Sequence, residues 1–356
     1  MHRRLPTTLA LVLLASLLVG LSGLAFDPTG AARPASAAAP HAEWTIQYHA
    51  PAGITLRGIT MLSTQVGYAV GGPSWGITGS PYIVKTTNGG VDWLELPLPP
   101  AMGGWQGAIA CRSELECMSV GHLGQASYTT DGGQTWRVRN MPGGYTGYLY
   151  SVVWVTPNIL LAGGTDGKSF RSTNTGYNWY QFRPGGNVVI WEWACFGATC
   201  YGAGNGSTFA ISYDQGATWG RVFTPGADLL GLSFLNVSTG WVAGSGGAIM
   251  RTGDGGQSWT LQPTGAYDTT FYDIDMLNAS EGWAVGGVND RQGRIYRTGN
   301  GGASWTRVNS PNTSFIWEVD AVDSGHAWAV THDGKILTYG GPVGNTPTPT
   351  PTPLPS

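Results

Sequence analysis

TGDGGQSW, running from Thr252 to Trp259, is one copy of a pattern, Ser/Thr-x-Asp/Asn-x-Gly-x-x-Trp, that the chain carries six times. The others are TTNGGVDW (Thr86 to Trp93), TTDGGQTW (Thr129 to Trp136), STNTGYNW (Ser172 to Trp179), SYDQGATW (Ser212 to Trp219) and TGNGGASW (Thr298 to Trp305). Successive Trp residues lie 43, 43, 40, 40 and 46 positions apart, the length of one four-stranded propeller blade. A second motif keeps step with the first. It is a strand of small and apolar residues: GYAVGG from Gly67, CMSVG from Cys117, GWVAG from Gly240 and GWAVGG from Gly282.

The ends of the chain set the number of blades. Trp44-Thr45-Ile46-Gln47-Tyr48 reads like the strand after each repeat, yet no repeat precedes it. At the other end, Ala327 to Val330 and Lys335 to Thr338 provide strands of a last blade that stops at Gly340-Gly341 without a Trp strand of its own. The expectation is an all-β, seven-bladed β-propeller closed by pairing of the N-terminal strand with the last blade, which removes two free sheet edges. Composition agrees: 56 Gly and 16 Trp with only 11% charged residues is the usage of many short strands joined by tight turns.

Around this propeller, assigned to residues 41–342, lie two segments of other character. Residues 1–40 read as a signal peptide or N-terminal anchor plus a small-residue linker: His2, Arg3 and Arg4 precede an apolar run over 9–26, then an Ala/Pro/Ser stretch. Cleavage after Ala25 or Ala37 fits the small residues there, and a run of about 18 residues also reaches the lower limit for an anchor. Residues 343–356, ending TPTPTPTPLPS, form a Pro/Thr-rich tail suited to extended polyproline geometry. The expected location is extracytoplasmic: secreted, periplasmic or at the cell surface. Four cysteines support it. Cys111/Cys117 and Cys195/Cys200 face each other across hairpin turns, within disulfide reach. None of the six His clusters with them, so no metal site is expected. With a formal charge of −3 and scattered Lys and Arg, nothing points to nucleic acid.

The repeat reads as structural. Its Asp or Asn (Asn88, Asp131, Asn174, Asp214, Asp254, Asn300) can accept backbone hydrogen bonds inside the turn. Its Trp residues (Trp93, Trp136, Trp179, Trp219, Trp259, Trp305) fill the gaps between blades. An amide at three of six acidic positions argues against a shared catalytic acid.

These repeats match the bacterial neuraminidase repeat, or Asp-box. Gly282 to Gly287, Tyr296-Arg297-Thr298 and the following Gly-Asn-Gly-Gly-x-Ser-Trp together resemble the photosystem II stability/assembly factor family. The resemblance implies an exported seven-bladed scaffold that binds a protein partner, in that family a membrane complex, and is not an enzyme or a cofactor protein. It also implies a basic partner-binding patch, for which Lys85, Arg171, Arg251 and Arg297, each just before a repeat, are the matching positions.

One further pattern carries chemistry. Aligning the innermost strands gives a column of Gly58, Ala108, Glu192, Gly231, Asp273 and Glu318, preceded by Arg57, Gly107, Trp191, Leu230, Tyr272 and Trp317. Three blades thus present an aromatic followed by an acid, with Asp275 and Asp320 two residues further along the same face. Arg57, Trp191, Glu192, Tyr272, Asp273, Trp317 and Glu318 are the candidate binding residues. The alternative functional reading is a carbohydrate-binding or glycoside-hydrolase-type propeller, because two carboxyl groups suffice for that reaction. Structural use of the acids, as acceptors for neighbouring strands, competes with both. No catalytic residue is assigned.

Overall fold

The computed structural model describes residues 43–74, 79–223, 226–289, 291–311 and 313–340. The segments read as export signal and Pro/Thr tail lie outside them. Within the described residues are 28 strands, numbered β1 to β28 in chain order, arranged as seven four-stranded antiparallel sheets. Six sheets are built from consecutive strands. The seventh takes β26 (Ile316–Asp323), β27 (His326–Thr331) and β28 (Lys335–Tyr339) from the end of the chain and β1 (Trp44–His49) from its start. Trp44 faces Tyr339, Thr45 faces Thr338 and Ile46 faces Leu337. The ring closes as the sequence predicts.

Each Asp-box is a small hydrogen-bonded knot. In the second copy, Thr129 Oγ1 accepts from Gly133 N–H at 2.9 Å and donates to Asp131 Oδ1 at 2.8 Å, and Asp131 Oδ1 accepts from Thr135 N–H at 2.9 Å. The same three contacts recur around Asn88, Asn174, Asp214, Asp254 and Asn300. The acceptor reaches four residues along the turn, further than a simple Asx turn, and the Ser/Thr hydroxyl is the hub of the knot. Because Oδ1 alone makes the turn, Asn and Asp are interchangeable there. At the fifth position the backbone is left-handed, φ +90° at Gly133, which a side chain would strain.

The Trp that ends each knot packs against the preceding blade. Trp259 meets Phe209 edge-on at 4.9 Å, and Trp179 shares a core with Met118. Trp44 does the same for the closing strand, lying 5.3 Å from Trp283 in a T-shaped contact and 4% exposed. Trp44, Trp93, Trp136, Trp179 and Trp305 are buried, while Trp219 and Trp259 are half-buried. Both cysteine pairs form disulfides, Cys111–Cys117 and Cys195–Cys200, across directly paired positions of two inner hairpins. Other blades use a large side chain over a glycine at this place: a Cβ on Gly282 would lie on Met276 Sδ.

Two stability predictions follow from this architecture. Trp44→Ala should cost about 3–5 kcal/mol in a urea melt, and a loss under about 1 kcal/mol would mean that β1 does not hold the ring. Ser212→Ala, which strips Gly216 N–H of its acceptor, should cost about 1–3 kcal/mol, whereas Asp214→Asn, which keeps Oδ1, should cost clearly less.

Candidate functional site: the channel mouth

The innermost strands of the seven blades are β2 (Ile54–Met61), β6 (Gln106–Cys111), β10 (Leu149–Trp154), β14 (Ile190–Phe196), β18 (Leu229–Phe234), β22 (Thr270–Met276) and β26. All seven carry a register shift at the same place. Pairing skips Arg57, Gly107, Tyr150, Trp191, Leu230, Tyr272 and Trp317 in turn. A β-bulge leaves its extra residue unpaired and re-aims its side chain. Here the bulges turn one residue per blade toward the axis, and all seven line one cavity of about 480 Å³. Tyr150 belongs to this ring and escaped the sequence alignment, which skipped the third blade. Its signal was Leu149-Tyr150-Ser151-Val152 ahead of Leu160 to Gly164, a small-residue strand that lacks the leading Gly or Cys of the other copies.

Aromatic contacts divide the wall in two. On blades two to four, Trp105 stacks on Tyr150 (5.9 Å), and Tyr150 meets Trp191 at a tilt (4.3 Å). On blades six and seven, Tyr272 meets Trp317 (5.0 Å) and Phe315 (5.2 Å), while Phe315 stacks on His332 (4.6 Å). Arg57 on blade one and Leu230 on blade five separate the two clusters. The Trp191 indole N–H donates to Asn205, which fixes its ring. The Arg57 guanidinium lies 4.6 Å over Trp105, and burial lowers its pKa to about 10. Its Nη2 donates to Pro73 O at 3.4 Å, but its buried Nη1 and the buried Trp317 indole N–H have no partner among the described residues.

One residue deeper, Glu192, Asp273 and Glu318 face both this cavity and a second chamber of about 380 Å³, which Asp275 and Asp320 also line. Four of these five acids are tied to the next blade. Glu318 accepts from Ile59 N–H (3.0 Å) and Asp320 from Met61 N–H (2.6 Å), joining blade seven to blade one. Asp273 accepts from Val319 N–H (2.9 Å) and Asp275 from Ala321 N–H (2.8 Å), joining six to seven. Between blades five and six Ser233 does this with Met276 N–H (3.0 Å). Glu192 differs. It accepts only from the adjacent Trp193 N–H (3.1 Å), and no hydrogen bond to blade five is found among the described residues.

These carboxyls touch the solvent of the channel, but protein walls enclose them, and desolvation is the main cause of their raised pKa values. Glu192 is pushed to about 8, with Asp273 adding repulsion, and Asp320 to about 8, Asp273 to about 7 and Asp275 to about 6. Glu318 is raised well above its ordinary value by burial, then by Asp273 and Glu192. In the Asp-boxes the direction reverses. Hydrogen bonds, first from the Thr135, Thr218 and Ser258 hydroxyls, hold Asp131, Asp214 and Asp254 at about 2.

The basic positions before the repeats lie away from this cavity. Lys85 Nζ donates to the carbonyls of Glu114 and Gly132 (both 3.3 Å), and Arg171 Nε donates to Gln215 O (2.9 Å), each on the next blade. Arg251 and Arg297 stack over Trp241 (5.2 Å) and Trp283 (5.0 Å). They serve as struts between and within blades.

Known proteins with this architecture differ in what they do. Residues 215–340 match the family described as "Photosynthesis system II assembly factor YCF48". Among solved structures, YCF48 from Cyanidioschyzon merolae is 16% identical, with a TM-score of 0.66 over 83% of this chain and 98% of that one. YCF48 bound to D1 peptide is 18% identical, with a TM-score of 0.64 over 84% and 97%. A GH74 xyloglucanase from Xanthomonas campestris is 15% identical, with a TM-score of 0.62 over 83% of this chain but 53% of the enzyme. Identities this low establish the shared seven-bladed fold alone. No curated protein matches the sequence.

The opposed pKa shifts fix how stability depends on pH. For the channel acids, the unfolded chain releases protons near pH 4 and the folded chain only between about 6 and 8. The folded state therefore binds more protons in that window, and stability falls as pH rises through it. The Asp-box acids act in the opposite sense: their stabilisation is present above pH 4 and lost as pH falls toward 2. Thermal melts should peak near pH 4–5 and decline toward pH 8. Asp320→Asn, which keeps an oxygen for Met61 N–H, should flatten the alkaline decline, and an unchanged slope would contradict the assignment.

Proposed function

Because the chain is a propeller of the photosystem II assembly factor-like kind, we propose that it is a non-catalytic scaffold, working outside the cytoplasm, that binds a protein partner at its channel mouth. The observation that carries this reading is the ring of bulges. Seven unpaired backbone positions aim Arg57, Tyr150, Trp191, Tyr272 and Trp317, with two smaller residues, into one cavity. A rigid, half-buried aromatic cavity of this size suits a few anchoring side chains of a partner segment. The acids beneath favour binding over hydrolysis. Asp273 and Glu318 each hold a backbone N–H of a neighbouring blade, so neither is free to move a proton in a reaction cycle without loosening the ring.

The protein-binding reading draws support from the family match and from the existence of a related propeller bound to a peptide. The extracytoplasmic location rests on the two disulfides, which persist in oxidising compartments, and on the charged-then-apolar N-terminus. A membrane complex is the partner class that this family resemblance suggests. The carbohydrate reading keeps one specific support, an aromatic wall beside the high-pKa Glu192.

In-cell cross-linking should capture a protein partner with the full-length chain, and capture should fall at least about tenfold, a loss of ~1.4 kcal/mol, in the Trp191→Ala/Trp317→Ala double variant. Release of reducing sugar from xyloglucan that disappears in Glu318→Gln would instead assign the enzyme. Sequencing the N-terminus of the exported protein should begin after Ala25 or Ala37, or at Met1 or His2 if the segment is retained as an anchor. Recovery in the cytoplasm would overturn the location.

A further inference from the structure

The channel mouth is chemically lopsided. Its walls are aromatic, its floor is carboxylic, and the one guanidinium among the described residues that line it is set apart. Arg57 is stacked on Trp105 and is not among the charges that act on Glu192, Asp273 or Glu318. Those three acids repel one another across the channel. Asp273 raises Glu192, and Asp273 and Glu192 both raise Glu318. No basic side chain among the described residues forms an ion pair with any of them. Enclosing like charges without a counter-ion is costly unless something neutralises them.

We propose that the aromatic slot receives the primary ammonium of a lysine side chain carried by the partner segment, seated against the Glu192 carboxylate. The inference rests on the protein-binding reading and names the chemistry of its anchor. Three features favour this occupant over a sugar or an apolar side chain. Glu192 is the one channel acid not committed to a neighbouring blade, so it can turn to a ligand without loosening the ring. It follows Trp191 directly in sequence, and Trp191 with Tyr150 forms a paired aromatic wall across the slot from Tyr272 and Trp317. Aromatic faces attract a cation electrostatically, more so where water is thinned out. The acids lie one residue below the rim, about 3.3 Å further along each strand, within reach of a four-carbon stem whose methylenes would cover the rings.

The groups facing Glu192 are Asp273 and Glu318 beside it, Asp275 and Asp320 in the chamber below, Arg57, Tyr150 and Tyr272 on the walls, and His332 at the rim; burial and then Asp273 hold its carboxyl up. An ammonium prefers the ionised carboxylate, so binding should release protons and tighten as pH rises toward 8.

The test titrates full-length protein with capped Gly-Gly-Lys-Gly-Gly and its norleucine counterpart, following tryptophan fluorescence and heat. The lysine peptide should bind at least about tenfold more tightly than the norleucine peptide, and this preference should grow by at least about tenfold between pH 6 and pH 8.5. Glu192→Gln should abolish the preference while leaving the melting temperature at pH 5 unchanged. Equal binding of the two peptides, no binding of either, or a preference that survives Glu192→Gln would each overturn the proposal. Cross-linking separates this failure from that of the broader reading. If Glu192→Gln still captures the partner fully while the Trp191/Trp317 double variant does not, the protein site stands and the lysine seat falls. If a xyloglucan oligosaccharide binds the slot and no partner is captured, both fall.

Discussion

The pairing of Trp44–His49 with Lys335–Tyr339 is the constraint on which the molecule depends. A row of blades has two open edges and no axis. Once β1 zips onto β28, the seven inner strands must converge, and only then do residues as distant as Ile59 and Glu318 come within hydrogen-bond range. Trp44 fastens this seam from the side, packing edge-on against Trp283 of the neighbouring blade. Every property of the channel, from its aromatic rim to its proton-binding floor, is downstream of that one strand pairing.

Closure also explains why acids are tolerated in the interior. Carboxyl groups at Asp273, Asp275, Glu318 and Asp320 are desolvated, but each accepts a backbone N–H from the next blade. They replace the ladder hydrogen bonds that adjacent, unpaired sheets cannot make with one another. The same task falls to Ser233 between blades five and six. The acids are therefore concentrated on one side of the ring, at blades six and seven, and Glu192 on blade four stands outside that network.

The sequence revealed the architecture more fully than the site. Local signals sufficed for the repeats: the hydroxyl at Thr252, the acceptor at Asp254 and the glycine at Gly256 all act within one turn. The closing strand was legible because Trp44 repeats the Trp strand without its turn. By contrast, the bulges leave no local mark. Arg57, Gly107 and Trp191 align in one column but share no side-chain type, and only the pairing register shows that this column is skipped by the ladder and turned to the axis. Tyr150 was missed for this reason. The separate status of Glu192 was hidden too, since its column neighbours Asp273 and Glu318 differ from it only in which backbone N–H lies nearby. The basic residues before the repeats look like a surface patch in sequence, whereas their carbonyl and aromatic partners come from other turns and strands.

The bulge ring has a further consequence for how such a molecule can change. The skipped position already accommodates a guanidinium, a bare hydrogen, a phenol, an indole and a branched alkyl group on one backbone geometry. Its occupant contributes no ladder bond, so exchanging it leaves the sheets untouched except at Gly107, where a Cβ would lie on the Leu149 carbonyl oxygen. The mouth thus resembles a seven-pin lock in which six pins can each be recut alone, letting ligand preference drift or be redesigned while the cylinder that holds the pins stays the same.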